Sequence, residues 1–178
     1  WEIIHKYDIK NEIPESIISH LIKGMRGEAQ ETVKSGDEVM RNVTNNIIGS
    51  LTTAITSAEK AAKELGYNTI ILSTKLIGEA REVGKVFGSI LNNMVESDYL
   101  LKKPACIIAG GETTVTILGN GKGGRNQELA LGAVGQIDSL RDCCLISIAT
   151  DGEDGPTDAA GAFVTGRTKS RAKEKGLD

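Results

Sequence analysis

The chain has 178 residues, 39% of them hydrophobic and 25% charged, which describes a globular protein with a buried core and excludes an intrinsically disordered one. A net charge of −3 and a pI near 5.5 exclude a general electrostatic pull on nucleic acid or on anionic membranes. Aromatic residues are only 3%, so the core is aliphatic and there are few rings on which single-stranded bases could stack.

Residues 1–23 read as two short helices broken at "NEIPES", where Pro14 suits a first helical turn. The polar, glycine-punctuated stretch "GMRGEAQETVKSGDE" reads as a surface loop. "VTNNIIGS", residues 43–50, is predicted as a short strand. A helix follows, with Leu51, Ala54, Ile55, Ala58, Ala61, Ala62 and Leu65 at a 3.6-residue period and Gly66 as its stop. "NTIILST" is a predicted strand. The next helix carries Val83, Val86, Phe87, Ile90, Leu91 and Met94 on its predicted core face. "ACIIAGG" and "ETTVTIL" read as two strands parted by Gly110 and Gly111, and a helix is predicted from about Asn126 to Ile137. "CCLISIAT" is a predicted buried strand ending at Asp151, followed by a loop, a strand or turn through Phe163 and Val164, and a basic helix over 168–175. Strands alternating with helices point to an α/β fold: a Rossmann-like parallel sheet with covering helices.

Three stretches carry residue types suited to chemistry. "GNGKGGRNQE" combines Gly119-x-Gly121-x-x-Gly124 with Lys122 and Arg125 before a helix. It matches a dinucleotide fingerprint by letter, yet polar Arg125, Asn126, Gln127 and Glu128 stand where close helix–strand packing wants small residues. Glycine amides beside a helix N-terminus suit an anion, and a solvated glycine turn remains the equal alternative. "ATDGEDGPTD" crowds Asp151, Glu153, Asp154 and Asp158 at a strand end, a place for Mg²⁺ with phosphates or for a loop of solvated Asx turns. "AGGETTV" offers Glu112 and Thr113 beside a glycine pair. His5 and His20 lie outside these stretches and read as surface residues. No Ser/His/Asp or Cys/His set is evident, which disfavours a covalent nucleophile. Cys106, Cys143 and Cys144 sit in apolar runs without metal spacing and read as reduced thiols of a cytoplasmic protein. Neither a secretory signal nor an apolar run of about 18 residues occurs, so no membrane span is expected.

"GGETTV", "GNGKGGRNQELAL" and "ATDGEDGPTDAAGA", in that order, resemble the C-terminal MOFRL region of the type II glycerate 2-kinases, a family sometimes named hydroxypyruvate reductases. "IPESIISHL", "NNIIGS", "AAKELGYNTIILST" and "GEAREVGKVF" are similar to the later part of that family's first domain. The resemblance implies a first-domain portion over residues 1–100 and the start of a smaller second α/β domain over 101–178. It implies transfer of the ATP γ-phosphoryl to D-glycerate with Mg²⁺, giving 2-phosphoglycerate; a cytoplasmic location, a homodimer, and no nucleic-acid or membrane partner are expected beside it. Carried over by position, the expected catalytic residues are Arg125, Asp151 and Asp154, and the expected metal ligands Asp151 and Asp158. The expected cofactor-binding residues are Gly111, Glu112, Thr113, Gly121, Lys122, Gly123, Gly124 and Asn126. Family chains are longer, and this sequence opens on Trp1 and stops at "KEKGLD", so it is expected to be a segment that is inactive alone. The alternatives are an NAD(P)H-dependent hydroxypyruvate reductase and a non-catalytic nucleotide-binding or structural module.

Overall fold

A computed structural model describes residues 1–177 and divides into two compact units, Trp1–Asn46 and Ile47–Asp178. Strands from either side of residue 100 pair with each other within the second unit. The first unit is small: helix α1 (Glu2–Lys6), a 3₁₀ turn, helix α2 (Glu15–Met25), a loop and a second 3₁₀ turn. Pro14 immediately precedes α2, where its missing N–H costs nothing. Only Ile4 is buried here, and His5 and His20 are exposed.

The second unit begins with residues 47–50 in irregular backbone, and the strand expected over 43–50 does not form. Ile48 is fully exposed, so nothing rewards pairing that segment. Helix α3 (Leu51–Glu64) starts where Ser50 caps it, the hydroxyl accepting from the Thr53 N–H, and Gly66 closes it with φ of +86°. Of its expected apolar stripe only Ile55 is buried. Strand β1 (Asn68–Glu79), helix α4 (Ala80–Glu96) and strand β2 (Ala105–Thr114) form a β-α-β unit, with β1 and β2 parallel from Asn68 opposite Ala105 to Glu79 opposite Thr114. Two register irregularities between Ile71 and Leu76 let β1 run past its expected end.

β2 runs unbroken through Gly110 and Gly111 rather than splitting there. A Cβ on Gly110 would overlap the Ile55 side chain of α3, and one on Gly111 the Leu76 backbone of β1. The pair is there for close approach, and "VTIL" beyond Thr114 lies outside the strand with Ile117 and Leu118 exposed.

Helix α5 (Arg125–Ala133) packs on α4 and on an antiparallel hairpin of β3 (Cys144–Ile148) and β4 (Gly161–Thr165), and α6 (Thr168–Glu174) follows. The core cluster is Ala130, Ala133, Ile137 and Val164, with Leu91, Val134, Leu140, Leu145 and Ala162 against it. Of the expected stripe of α4, Met94 is buried, Leu91 packs against the core cluster, Val83, Phe87 and Ile90 are half-buried and Val86 is 58% exposed, while Gly84 and Gly88 make the close approach to α5. A Cβ on Gly84 would overlap the Leu129 carbonyl, and one on Gly132 the Arg81 carbonyl. The two helix backbones therefore touch through small residues. β3 alternates exposed and half-buried residues instead of being buried on both faces, leaving Ile146 and Ile148 outward.

Candidate active site

Because β1 and β2 are parallel, their carboxyl ends lie at one edge, the position at which open α/β sheets bind ligands. Two carboxylates and two guanidinium groups gather there with Glu128 from α5. Glu79, the last residue of β1, accepts from the Thr116 backbone N–H at 2.7 Å and hydroxyl at 3.3 Å, tying down the loop after β2. Arg81, one residue into α4, donates to the Thr116 carbonyl at 3.2 Å and pairs with Glu128 at 3.0 Å. Arg125, the first residue of α5, donates from Nη1 to Glu112 Oε1 of β2 at 2.6 Å. Its side chain is 49% exposed and that of Glu112 78%, so the pair is open to solvent and available to an incoming anion. Such a pair contributes at most about 1 kcal/mol, little for a phosphate or carboxylate to displace. Arginine suits both, since its fork of donors matches two oxygens at once.

The N-terminus of α5 is the surprise of the site. Its first free amides are not open to a ligand. Asp154, only 2% exposed, takes them: Oδ1 accepts from Asn126 N at 2.9 Å and Oδ2 from Gln127 N at 2.8 Å. The side-chain amides of Asn126 and Gln127 each add a bond to the same carboxylate at 3.1 Å. Gln127 also donates to Thr157 Oγ1, whose hydroxyl donates to the Asp154 carbonyl, and Ser147 of β3 donates to Asn126 Oδ1 at 2.7 Å. Burial alone would push the Asp154 carboxyl up; the bonds from the Asn126 and Gln127 backbone amides, then from their side chains, outweigh it and hold the group below the usual range.

Asp154 caps α5, and its carboxylate oxygens accept from Asn126 and Gln127. Asn126 and Gly124 are occupied likewise: a Cβ on Gly124 would overlap the Asp154 carboxylate, so that glycine makes room for the acidic loop rather than for a phosphate. Gly155, at φ +62°, packs in turn against the Gly123 backbone. Gly111 serves strand packing. Gly121 and Lys122 lie exposed in the loop 115–124, Gly121 with no atom within 4 Å of where a Cβ would stand. Glu112 and Thr113 do reach the strand edge, opposite Ile77 and Gly78. The Gly119-x-Gly121-x-x-Gly124 match is not a dinucleotide turn, since β2 ends five residues before Gly119 and the helix end already holds a carboxylate.

Asp151 and Asp158 are exposed, Asp151 accepting from the Glu153 N–H in an Asx turn. Among the described residues no three His, Cys, Asp or Glu side chains form a metal cluster. Mg²⁺ commonly takes one or two carboxylates and fills its shell with phosphates and water, so these two oxygen donors fit it in chemistry. The cysteines form no disulfide, and burial pushes all three thiols up, away from nucleophilic thiolate. The sequence reading missed Glu79, Arg81, Glu128 and Ser147. For Glu79 the signal was present: an acid closing a parallel strand, the same argument applied to Asp151.

Residues 105–178 match the MOFRL family. Along 99% of its length the chain is 42% identical to "Glycerate 2-kinase" of Pyrococcus horikoshii and to "D-glycerate 2-kinase" of Thermotoga maritima. It is 32% identical to the human "Glycerate kinase" over the same share. The crystal structure of a glycerate kinase from Thermotoga maritima superimposes with a TM-score of 0.78, covering 99% of this chain and 40% of that one. The chain thus spans about two fifths of the curated relatives it matches, 39% of each microbial sequence. All three of these relatives carry kinase names, and nothing in the comparisons supports the reductase alternative. No helix among the described residues is long and apolar enough to cross a membrane.

Proposed function

Residues 105–178 being MOFRL-family sequence, we propose that the chain forms part of an ATP-dependent glycerate 2-kinase, which transfers the γ-phosphoryl of ATP to D-glycerate to give 2-phosphoglycerate. The observation that carries this reading is the solvent-open Arg125–Glu112 pair at the carboxyl edge of two parallel strands, in a chain so similar to enzymes named for that reaction. Phosphoryl transfer asks for positioned positive charge and orientation more than for a protein nucleophile. Arg125 supplies charge: on binding, a phosphate or the glycerate carboxylate replaces Glu112 on its guanidinium. Glu112, displaced, remains an acceptor for a substrate hydroxyl. Asp151, exposed three residues before the buried cap, is assigned the role of orienting the attacking hydroxyl or a Mg²⁺ ion, with Asp158 as the second oxygen donor. Mg²⁺, bound with ATP, would neutralise charge on the phosphates. Three unpaired thiols support a reducing, cytoplasmic setting.

The test is ADP release from the complete polypeptide carrying this sequence, supplied with MgATP and D-glycerate, beside NADH loss with hydroxypyruvate. Glycerate-dependent ADP release is expected, and Arg125→Ala should lower kcat/KM by about 10²-fold or more while changing stability by less than about 1 kcal/mol. MgATP binding without turnover would favour a non-catalytic module instead, and an Arg125→Ala enzyme within a few-fold of the parent would remove that arginine from the site.

A further inference from the structure

Asp151 and Arg125 are 26 positions apart, on a loop after β3 and at the start of α5 respectively. What joins those two segments is Asp154. Its loop carries Asp151 three residues upstream, and its carboxylate is bound by the two amides that directly follow Arg125. Gly124 immediately before Arg125 has no side chain, which lets the acidic loop lie against this point, and Gly155 lets the loop backbone meet Gly123. Thr157 and Gln127 close a ring of bonds around the same carboxylate. The backbone after Arg125 is therefore bonded to one buried acid, and that before it lies against the same acid, whereas among the described residues the arginine side chain has only the exposed Glu112 for a partner.

We propose that Asp154 is a positioning residue for phosphoryl transfer, clamping the α5 N-terminus so that Arg125 is held in one fixed geometry. The inference rests on the kinase reading above. It also explains how an acid-rich loop serves a reaction on anionic substrates: its buried member is spent on the helix, leaving the arginine free for the phosphate or carboxylate.

The experiment is a double-mutant cycle on the complete polypeptide, reading kcat and KM for D-glycerate and MgATP well below the melting temperature of each variant. Asp154→Asn keeps the shape but turns an NH₂ toward donors. It is expected to lower kcat/KM by about 10²-fold, the loss that a misplacement of about 1 Å can bring. In an Arg125→Ala background the same substitution should cost less than about threefold, because a residue acting through Arg125 has nothing left to position. Thr157→Val, a milder cut in the same ring, should show a smaller loss that likewise disappears without Arg125; it decides the matter if Asp154→Asn does not fold. A lowered melting temperature with kcat/KM unchanged would make Asp154 a purely structural cap and overturn the proposal, as would a full 10²-fold loss persisting in the Arg125→Ala background. Absence of glycerate-dependent ADP release from the unsubstituted protein would sink the kinase reading, and this inference with it, before any variant is compared.

Discussion

Gly124→Ala separates two explanations of the glycine-rich loop. If the glycine exists to bring backbone amides to a phosphate, alanine should weaken nucleotide binding and leave stability alone. The structure argues for the other outcome. Gly124 has φ −143° and ψ −177°, extended backbone that alanine adopts freely, so no strain arises and the smaller unfolded-state entropy would by itself stabilise by about 0.4–1 kcal/mol. Against this, the new Cβ overlaps the Asp154 carboxylate and backbone, which must retreat by about 1 Å to reach ordinary contact distance. From 2.8 and 2.9 Å, such a retreat takes both backbone bonds beyond useful length. Each bond to a charged group is worth about 1.5–3 kcal/mol, and part of the loss is recovered by the Asn126 and Gln127 side chains. The clash wins, and a net destabilisation of about 2–3 kcal/mol is expected. Urea unfolding followed by far-UV circular dichroism, with an unchanged m-value, measures it. Gly121→Ala, with open space around it, is the control and should fall within about 0.5 kcal/mol of the parent. Equal stability of the Gly124 and Gly121 variants would refute the reasoning.

The depressed Asp154 carboxyl makes a pH prediction: its stabilisation is fully present above the unfolded aspartate value of about 3.9 and is lost as pH falls through the lower folded value. Urea midpoints taken from about pH 5 down to about pH 2 should therefore fall less steeply in Asp154→Asn than in the parent, and parallel slopes would contradict the linkage. Glycine-to-alanine changes in two helices should have opposite signs. At Gly84 a Cβ would stand 3.0 Å from the Leu129 carbonyl carbon and 3.3 Å from Ala133 N, so the overpacking cost of about 1–3 kcal/mol exceeds a propensity gain of at most about 1. At Gly24 of α2 nothing lies within 4 Å, and about 0.5–1 kcal/mol of stabilisation is expected in the same assay.

The local elements were legible in the sequence wherever their signals were local. Gly66 closes α3 through a dihedral that involves only neighbouring residues, and the 3.6-residue period found both α3 and α4. The α/β alternation was readable for the same reason. The closest contact of α4 with α5 was not, because periodicity weighs hydrophobicity and that contact runs through Gly84 and Gly88, where closeness of backbones counts more than apolar area. Residues 43–50 look like a strand by composition, yet strand formation depends on a neighbour that composition does not name.

The functional residues divide along the same line. Arg125, Glu112 and the acidic loop stand out by residue type and spacing, and these alone pointed to anion chemistry in a parallel α/β frame. Which acid would remain free was a tertiary matter. Asp151, Asp154 and Asp158 are alike as letters, but only Asp154 folds back across 28 positions onto the amides of Asn126, and a buried carboxylate that has spent its lone pairs there has none for a ligand. Long-range hydrogen bonding gave one carboxylate a helix to hold, left the other two in solvent, and turned a glycine that resembled a phosphate cradle into the gap through which that bond is made.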